Sequence, residues 1–422
     1  MNKNLRKISL KAFQHGVLAA DPTKCLEKAV KKNPIPVPNG GRYIVISLGK
    51  AACLLMKTMI DILPTHAEKN LLAITNYENF QLINECEVIG ASHPIPDENG
   101  IKASQKVTNI LQNTSLEDTL VILISGGSSA LLPAPVNGLT LQDKIEINQL
   151  LLNSDLSISE INLIRQSMST LKGGGITTIV NPVPIYSFIL SDVIGDDLKV
   201  IASGPTVRPI GNIEEAYRLL IEKNLYPKLS SNLQKFFKSK FQKLYKSNIL
   251  NKNILIGNNK QSVEAMAKIA NAEIISYPII GNVQVAVETI FKEISIRRDK
   301  KYVALAFGGE TTVKVSGNGT GGRNQELALR IVEKLHNEKL KGNWCFLSGG
   351  TDGRDGPTKA AGGIVDQDTI TKLHSKNISI ERYLINNDSN TALKGTEDLL
   401  IIGTTGTNVA DLQLFLWETA PI

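Results

Sequence analysis

With 422 residues, 42% hydrophobic and 21% charged, the chain has the balance of a soluble globular protein and the length for two or three domains. No run of about 18 apolar residues occurs, which excludes a membrane-spanning helix; the longest candidate, residues 43–63, is interrupted by Lys50 and Lys57. The formal charge is 47 basic minus 40 acidic residues, or +7, a mild excess that favours small anions and falls short of a nucleic-acid footprint.

The chain opens on "MNKNLRKISLKAFQHGVLAAD", where Ile8, Leu10, Phe13 and Val17 recur with helical spacing. The segment is basic but has no sustained apolar stretch and no small-residue cleavage site, so it reads as a helix of the fold, without a secretory signal. Cys25, Cys53, Cys86 and Cys345 are scattered and form no C-x-x-C pair. That usage argues for a reducing, cytoplasmic setting and against structural zinc.

A repeating pattern of β-rich run, glycine turn and helical period follows. Strands are expected in "RYIVISLG", "DTLVILISGG", "PIYSFIL", "NILIGNN", "KYVALAFGGETT" and "NWCFLSGG". Strands alternating with helices imply parallel βαβ units and an α/β class. Ser157 followed by Glu160 reads as a capping box opening a helix around 161–171. Lysines crowd residues 233–253, where Leu233, Phe236, Phe237, Phe241 and Leu244 would line one helix face. Apart from Tyr245 no aromatic lies outside that stripe to stack on bases, so the lysines read as a solvated face. The expected organisation is an N-terminal domain over 1–228, a lysine-rich helical connection over 229–252, and a second α/β domain over 253–422. The final segment, "LLIIGTTGTNVADLQLFLW", could join either sheet.

Open α/β sheets bind ligands beyond the carboxyl ends of their strands, and several strand ends here carry glycines and polar residues together. "SLGKAA" presents Gly49 and Lys50 at a helix start, where a lysine can hold phosphate oxygens. It is not a Walker A motif, because Ile44 and Ala51 replace the required glycine and hydroxyl residue. "SGGSSAL" offers Ser125, Gly126, Gly127, Ser128 and Ser129 as donors to a phosphate or carboxylate. It nearly matches a nucleophile elbow, with Asp352 and His374 in triad order, but Ala130 stands where glycine belongs. "SDVIGDD" supplies Asp192, a Mg²⁺ ligand or a base for a substrate hydroxyl, and Asp196 and Asp197, which suit a metal or a turn equally.

"FGGETTV" adds Glu310, and "GGTDGRDG" adds Asp352 and Asp355. Between them, "VKVSGNGTGGRN" contains Gly317, Gly319 and Gly322 in the G-x-G-x-x-G order of dinucleotide sites, with Gly321 beside them and Arg323 directly after. A dinucleotide site also wants an acid at the end of the next strand, which "NWCFLSGG" lacks. A phosphate loop with an arginine at the helix start is therefore preferred.

Taken together, "GKAA", "HPIPDENG", "SGGSSALL", "LKGGG", "SDVIGDDLKVIASGPT", "GGETTV", "GNGTGGRNQELAL", "GTDGRDGPTKAAGG" and "TGTNVADL" resemble, in series, the class II glycerate kinases, whose C-terminal part is called MOFRL. The resemblance spans nearly the whole chain. It implies a larger Rossmann-like N-terminal α/β/α domain, a smaller α/β domain holding the MOFRL region at about 302–415, and an active site in the cleft between them. It implies transfer of a phosphoryl group from ATP, with Mg²⁺, to the 2-hydroxyl of D-glycerate. The family's lysine falls on Lys50 and its arginine on Arg323, expected to meet on the transferring phosphate. His93, Lys172, Asp192, Glu310 and Asp352 lie in its motifs, and Asp192 with Asp197 would hold the metal. The chain departs from the family at Ser47, Leu48, Ser128, Ser167, Gly175 and Lys359. A hydroxypyruvate reductase, encouraged by the glycine loop, and a catalytically degenerate nucleotide- or sugar-acid-binding relative are the alternatives. Neither nucleic acid nor membrane is expected as a partner; a homodimer is left open.

Overall fold

The computed structural model describes residues 2–180, 183–239, 245 and 251–419. These form two compact units, one of residues 22–256 and the other of residues 1–21 with 257–422.

In the first unit, strands β1 (Tyr43–Leu48), β2 (Lys69–Asn76), β3 (Glu87–Ala91), β4 (Thr119–Ile124), β5 (Ile185–Leu190) and β6 (Asn251–Gly257) make one sheet in the order 3-2-1-4-5-6. β1 to β5 run parallel. All six positions of β1, β4 and β5 are buried, as a sheet covered on both faces requires. The order reverses between β1 and β4, which is where doubly wound sheets open a crevice for ligands. A helical cluster adjoins this sheet: helices Leu141–Leu152, Ile158–Ser167, Ile213–Glu222 and Ser231–Lys238 share a core built on Ile147, Ile164, Met168, Leu220 and Phe237. The Ser157–Glu160 capping box is formed, and its helix ends at Ser167, short of the expected 171, where the chain turns into the Gly173–Gly174 bend. In the lysine-rich stretch Leu233 and Phe237 are buried; Phe241 and Leu244 lie outside the described residues.

The second unit departs from the parallel pattern expected of it. Strands β7 (Glu273–Ile274), β8 (Ile279–Asn282), β9 (Tyr302–Thr312), β10 (Gly342–Gly350), β11 (Gly362–Asp366), β12 (Leu399–Leu400) and β13 (Asp411–Thr419) form a mixed sheet. β13 lies between β9 and β10, antiparallel to both, with Asp411 in register with Gly309 and Gly350. The last segment of the chain thus completes this sheet by filling the gap that the β9–helix–β10 crossover leaves. Apolar side chains pack on both faces.

One face is covered by the helix Asn2–Ala19, which corrects the expected 1–228 boundary: Leu5, Phe13 and Val17 bury themselves with Leu347, Leu412 and Leu414 of β10 and β13. Ile8 is partly buried there, while Leu10 faces outward. Periodicity marks an apolar face but carries no information about what will cover it. Among the described residues no helix is long and apolar enough to cross a membrane.

Candidate active site

Two clusters gather the candidate residues, one in each unit. The first sits at the switch point of the parallel sheet. After β1 the chain turns at Gly49 into the helix Ala52–Ile62, and after β4 it turns at Gly126–Gly127 into the short helix Ser128–Leu131. The two turns are laced together. Gly49 N–H donates to Ile74 O (3.0 Å), Lys50 N–H to Gly126 O (2.9 Å) and Ala51 N–H to Ser125 Oγ (3.1 Å), while Ser125 Oγ donates to Leu48 O (3.0 Å). Gly49 and Ser125 therefore build the turn and do not offer those groups to a phosphate.

The Lys50 side chain is the chemical feature this lacing presents. A Cβ on Gly127 would stand 3.2 Å from His93 Cδ2 and 3.3 Å from Lys50 Cγ, so the glycine lies between them. A Cβ on Gly126 would meet Asp192 Oδ2 at 2.3 Å, which is why only glycine fits beside that carboxylate.

Asp192, at the end of β5, has its carboxyl pushed above the usual range by burial, against the pull of its own and Gly127's N–H groups and of Lys50. His93 is driven down to about 4, first by burial and then by the Lys50 charge, so its imidazole is neutral at physiological pH. The serines are engaged otherwise than a nucleophile elbow needs. Ser128 Oγ donates to Ser125 O (2.6 Å), and Ser129 Oγ meets Ser203 Oγ (2.9 Å). His374 instead sets its ring edge-on to His336, 6.0 Å between centroids. Lys172 is nearly buried, and its ammonium donates to Ser129 O and Leu132 O, both 2.7 Å, which ties down the turn. Asp197 Oδ1 accepts from Lys199 N–H (2.9 Å), the Asx turn that was the alternative to a metal ligand. Among the described residues no group of three or more His, Cys, Asp or Glu side chains could hold a metal.

The second cluster surrounds the start of the helix Arg323–Asn337. Arg323 is gripped by the fully buried Asp411, Nε to Oδ2 at 2.6 Å and Nη2 to Oδ1 at 3.0 Å, and its Nη1 reaches Glu310 Oε1 at 2.9 Å. Burial opposes the charge, but Asp411 and then Glu310 outweigh it and keep the guanidinium firmly protonated. Asp352 lies close by: a Cβ on Gly350 would be 3.2 Å from Asp352 Oδ1 and 3.5 Å from Asp411 Oδ1.

The glycine loop before this helix does not form the expected phosphate cradle. Ser316 and Gly317 N–H donate to Asn387 Oδ1, Asn318 N–H to Asn386 Oδ1, Gly319 N–H to Asn386 O and Thr320 N–H to Asp388 Oδ1. Five consecutive donors are thus used to dock residues 386–388. Gly321 and Gly322 pack equally closely, against Ser389 and Asp355. The helix N-terminus is also filled from within: Asp355 accepts from Asn324 N–H (3.1 Å) and Gln325 N–H (2.8 Å), a carboxylate where an anion was expected. The dinucleotide reading of this loop loses its basis, because the N–H groups a pyrophosphate would need are occupied.

Asp355 makes a pH test possible. Burial raises its carboxyl from 3.8 to about 6 despite those N–H groups. Between about pH 4 and 6 the native state then holds a proton that the unfolded chain has lost. Its contribution to stability is fully present below that window, falls as pH rises through it, and is flat above. The stability of the wild type relative to Asp355→Asn should fall by on the order of 3 kcal/mol from pH 4 to pH 7 in denaturant titrations. Parallel pH profiles for the two proteins would contradict the burial argument.

Neither Asp411 nor the capping role of Asp355 was anticipated from sequence. Asp411 stands in the motif "TGTNVADL", but nothing local links it to an arginine 88 residues earlier.

Comparison with known proteins agrees with this architecture. Residues 8–238 match DUF4147, a domain of unknown function, and residues 303–411 match the MOFRL family. The D-glycerate 2-kinase of Thermotoga maritima is 37% identical, with 98% of this chain and 99% of the relative covered. The glycerate 2-kinase of Pyrococcus horikoshii is 36% identical over 97% of each. A crystal structure of glycerate kinase from Thermotoga maritima superposes with a TM-score of 0.86, covering 98% of this chain and 100% of that one. The chain therefore belongs to the MOFRL-containing glycerate kinase family.

Proposed function

We propose that this chain is an ATP-dependent glycerate 2-kinase that phosphorylates D-glycerate at its 2-hydroxyl to give 2-phosphoglycerate. The observation that carries the reading is the grouping of Lys50, the Gly126–Gly127 turn and a desolvated Asp192 at the sheet's switch point, in a family whose full-length relatives bear that name. Phosphoryl transfer asks the protein for positioning and charge and little covalent chemistry. ATP and glycerate bring several negative charges together, and Lys50 offsets them where the phosphoryl group moves.

Asp192, whose affinity for a proton is raised, takes the proton of the 2-hydroxyl as the new O–P bond forms and the bond to the ADP oxygen breaks. His93 stays neutral beside Lys50 and can hydrogen-bond the acid without adding charge. Arg323, fixed by Asp411 in the second unit, is proposed as a further catalytic cation. Mg²⁺ fits as an ion carried in on the nucleotide, since it takes one or two carboxylates and completes its shell with phosphates and water. Of the two acids expected to hold it, Asp192 would be the ligand, since Asp197 closes an Asx turn. Bound there, the ion would neutralise charge on the phosphates.

Two assays on purified protein test the reading. ADP release with ATP, Mg²⁺ and D-glycerate is expected, and NADH oxidation with hydroxypyruvate is not. The opposite pair of results would replace the kinase with the reductase.

A further inference from the structure

A cavity of about 240 Å³ opens in the first unit, lined by Gly127 and His93 of the switch-point cluster and by side chains of the helical cluster. We propose that this cavity seats the carboxylate of the hydroxy acid, with Arg165 as its anchor. The inference rests on the kinase reading for the identity of the acid and names the subsite that reading leaves open.

Among the described residues three cations line the cavity, Lys144, Arg165 and Lys172, and no Asp or Glu does. Arg165 lies on the helix Ile158–Ser167, and its Nη2 donates to the amide oxygen of Asn148 on the helix Leu141–Leu152. The acids of those two helices turn elsewhere. Asp143 caps its own helix and accepts from Asn232 (2.9 Å), Glu146 accepts from Ser230 N–H (2.8 Å), and Glu160 closes its capping box and pairs with Lys223 (3.6 Å).

A guanidinium carries five donors in a planar fork that matches a carboxylate. Holding one largely out of water, with a neutral amide as its hydrogen-bond partner among the described residues, is costly unless an anion joins it. Its affinity for its own proton is lowered by burial alone, with no acid opposing that effect. Lys144 donates to Met168 O (3.3 Å) and Lys172 to two carbonyls, so the positions of both are fixed beside the cavity. Liquid water takes about 30 Å³ per molecule, so the cavity has room for a three-carbon acid together with solvent.

The test compares wild type, Arg165→Gln and Asn148→Asp by steady-state kinetics and by calorimetric titration of D-glycerate without ATP. Arg165→Gln is expected to raise KM for D-glycerate about 10- to 100-fold, with KM for ATP unchanged and kcat within about threefold. Asn148→Asp places a competing carboxylate on Arg165 and should raise the same KM at least about tenfold. It keeps the test valid if Arg165→Gln fails to fold. Unchanged glycerate KM in both folded variants overturns the subsite while leaving the kinase intact. Conversely, a wild type that binds D-glycerate through Arg165 but never phosphorylates it would uphold the subsite and sink the kinase reading.

Discussion

Lys50→Ala is expected to lower kcat for phosphoryl transfer by about 10²- to 10⁴-fold, equivalent to roughly 3–5 kcal/mol of transition-state stabilisation. KM for D-glycerate should change much less. The expectation follows from how the lysine is mounted. Its backbone N–H is fixed on Gly126 O and the preceding turn is locked by Ser125, so the side chain leaves a rigid base beside Gly127. A cation delivered this way costs no reorganisation when charge develops.

The same variant has a readout independent of turnover. Lys50 holds His93 down and also lowers Asp192, so its removal should move the imidazole titration upward from about 4 when followed by NMR. Burial remains the larger cause for His93, so the recovery should stay incomplete. Full activity in Lys50→Ala with an unshifted His93 would show that the lysine does not face this site.

Asp411→Asn is expected to reduce kcat/KM by about 10- to 100-fold although Asp411 itself is fully buried. Asp411 is in register between Gly309 and Gly350 of the neighbouring strands, which fixes its backbone from both sides. It holds Arg323 through two parallel hydrogen bonds, and the asparagine can supply only one acceptor. The guanidinium would stay charged through Glu310 but lose its orientation. Breaking a buried pair usually costs about 3–5 kcal/mol of stability; the partial exposure of Arg323 should bring the loss below that range.

A positioning role is separated from a purely structural one by a double-mutant cycle. If Asp411 works through Arg323, adding Asp411→Asn to Arg323→Ala should leave kcat/KM almost where Arg323→Ala alone puts it. Additive losses would mean that Asp411 contributes something of its own.

Sequence disclosed the chemistry-bearing turns better than their hydrogen bonds. The six expected strands are all present because continuous apolar runs such as "YIVISL" and "TLVILI" bury every residue, a pattern fixed locally. The position of β13 between β9 and β10 was not legible, because strand pairing is decided by partners 61 to 116 residues away. The cover that the first helix gives to a sheet built almost entirely from the chain's far half was hidden for the same reason.

The glycine loop is the instructive miss. Gly317, Gly319 and Gly322 satisfy a phosphate fingerprint, yet the motif does not state what its N–H groups bind, and here they bind Asn386, Asn387 and Asp388. The placement of Lys50 and Asp192 at one edge of the sheet was legible because each follows a buried strand.

The central claim is most directly tested by phosphorus NMR of the purified protein with ATP, Mg²⁺ and D-glycerate. The account predicts a 2-phosphoglycerate resonance that grows as ATP is consumed and is lost in Lys50→Ala and Arg323→Ala. A 3-phosphoglycerate resonance, or no phosphorylated acid at all, would contradict it.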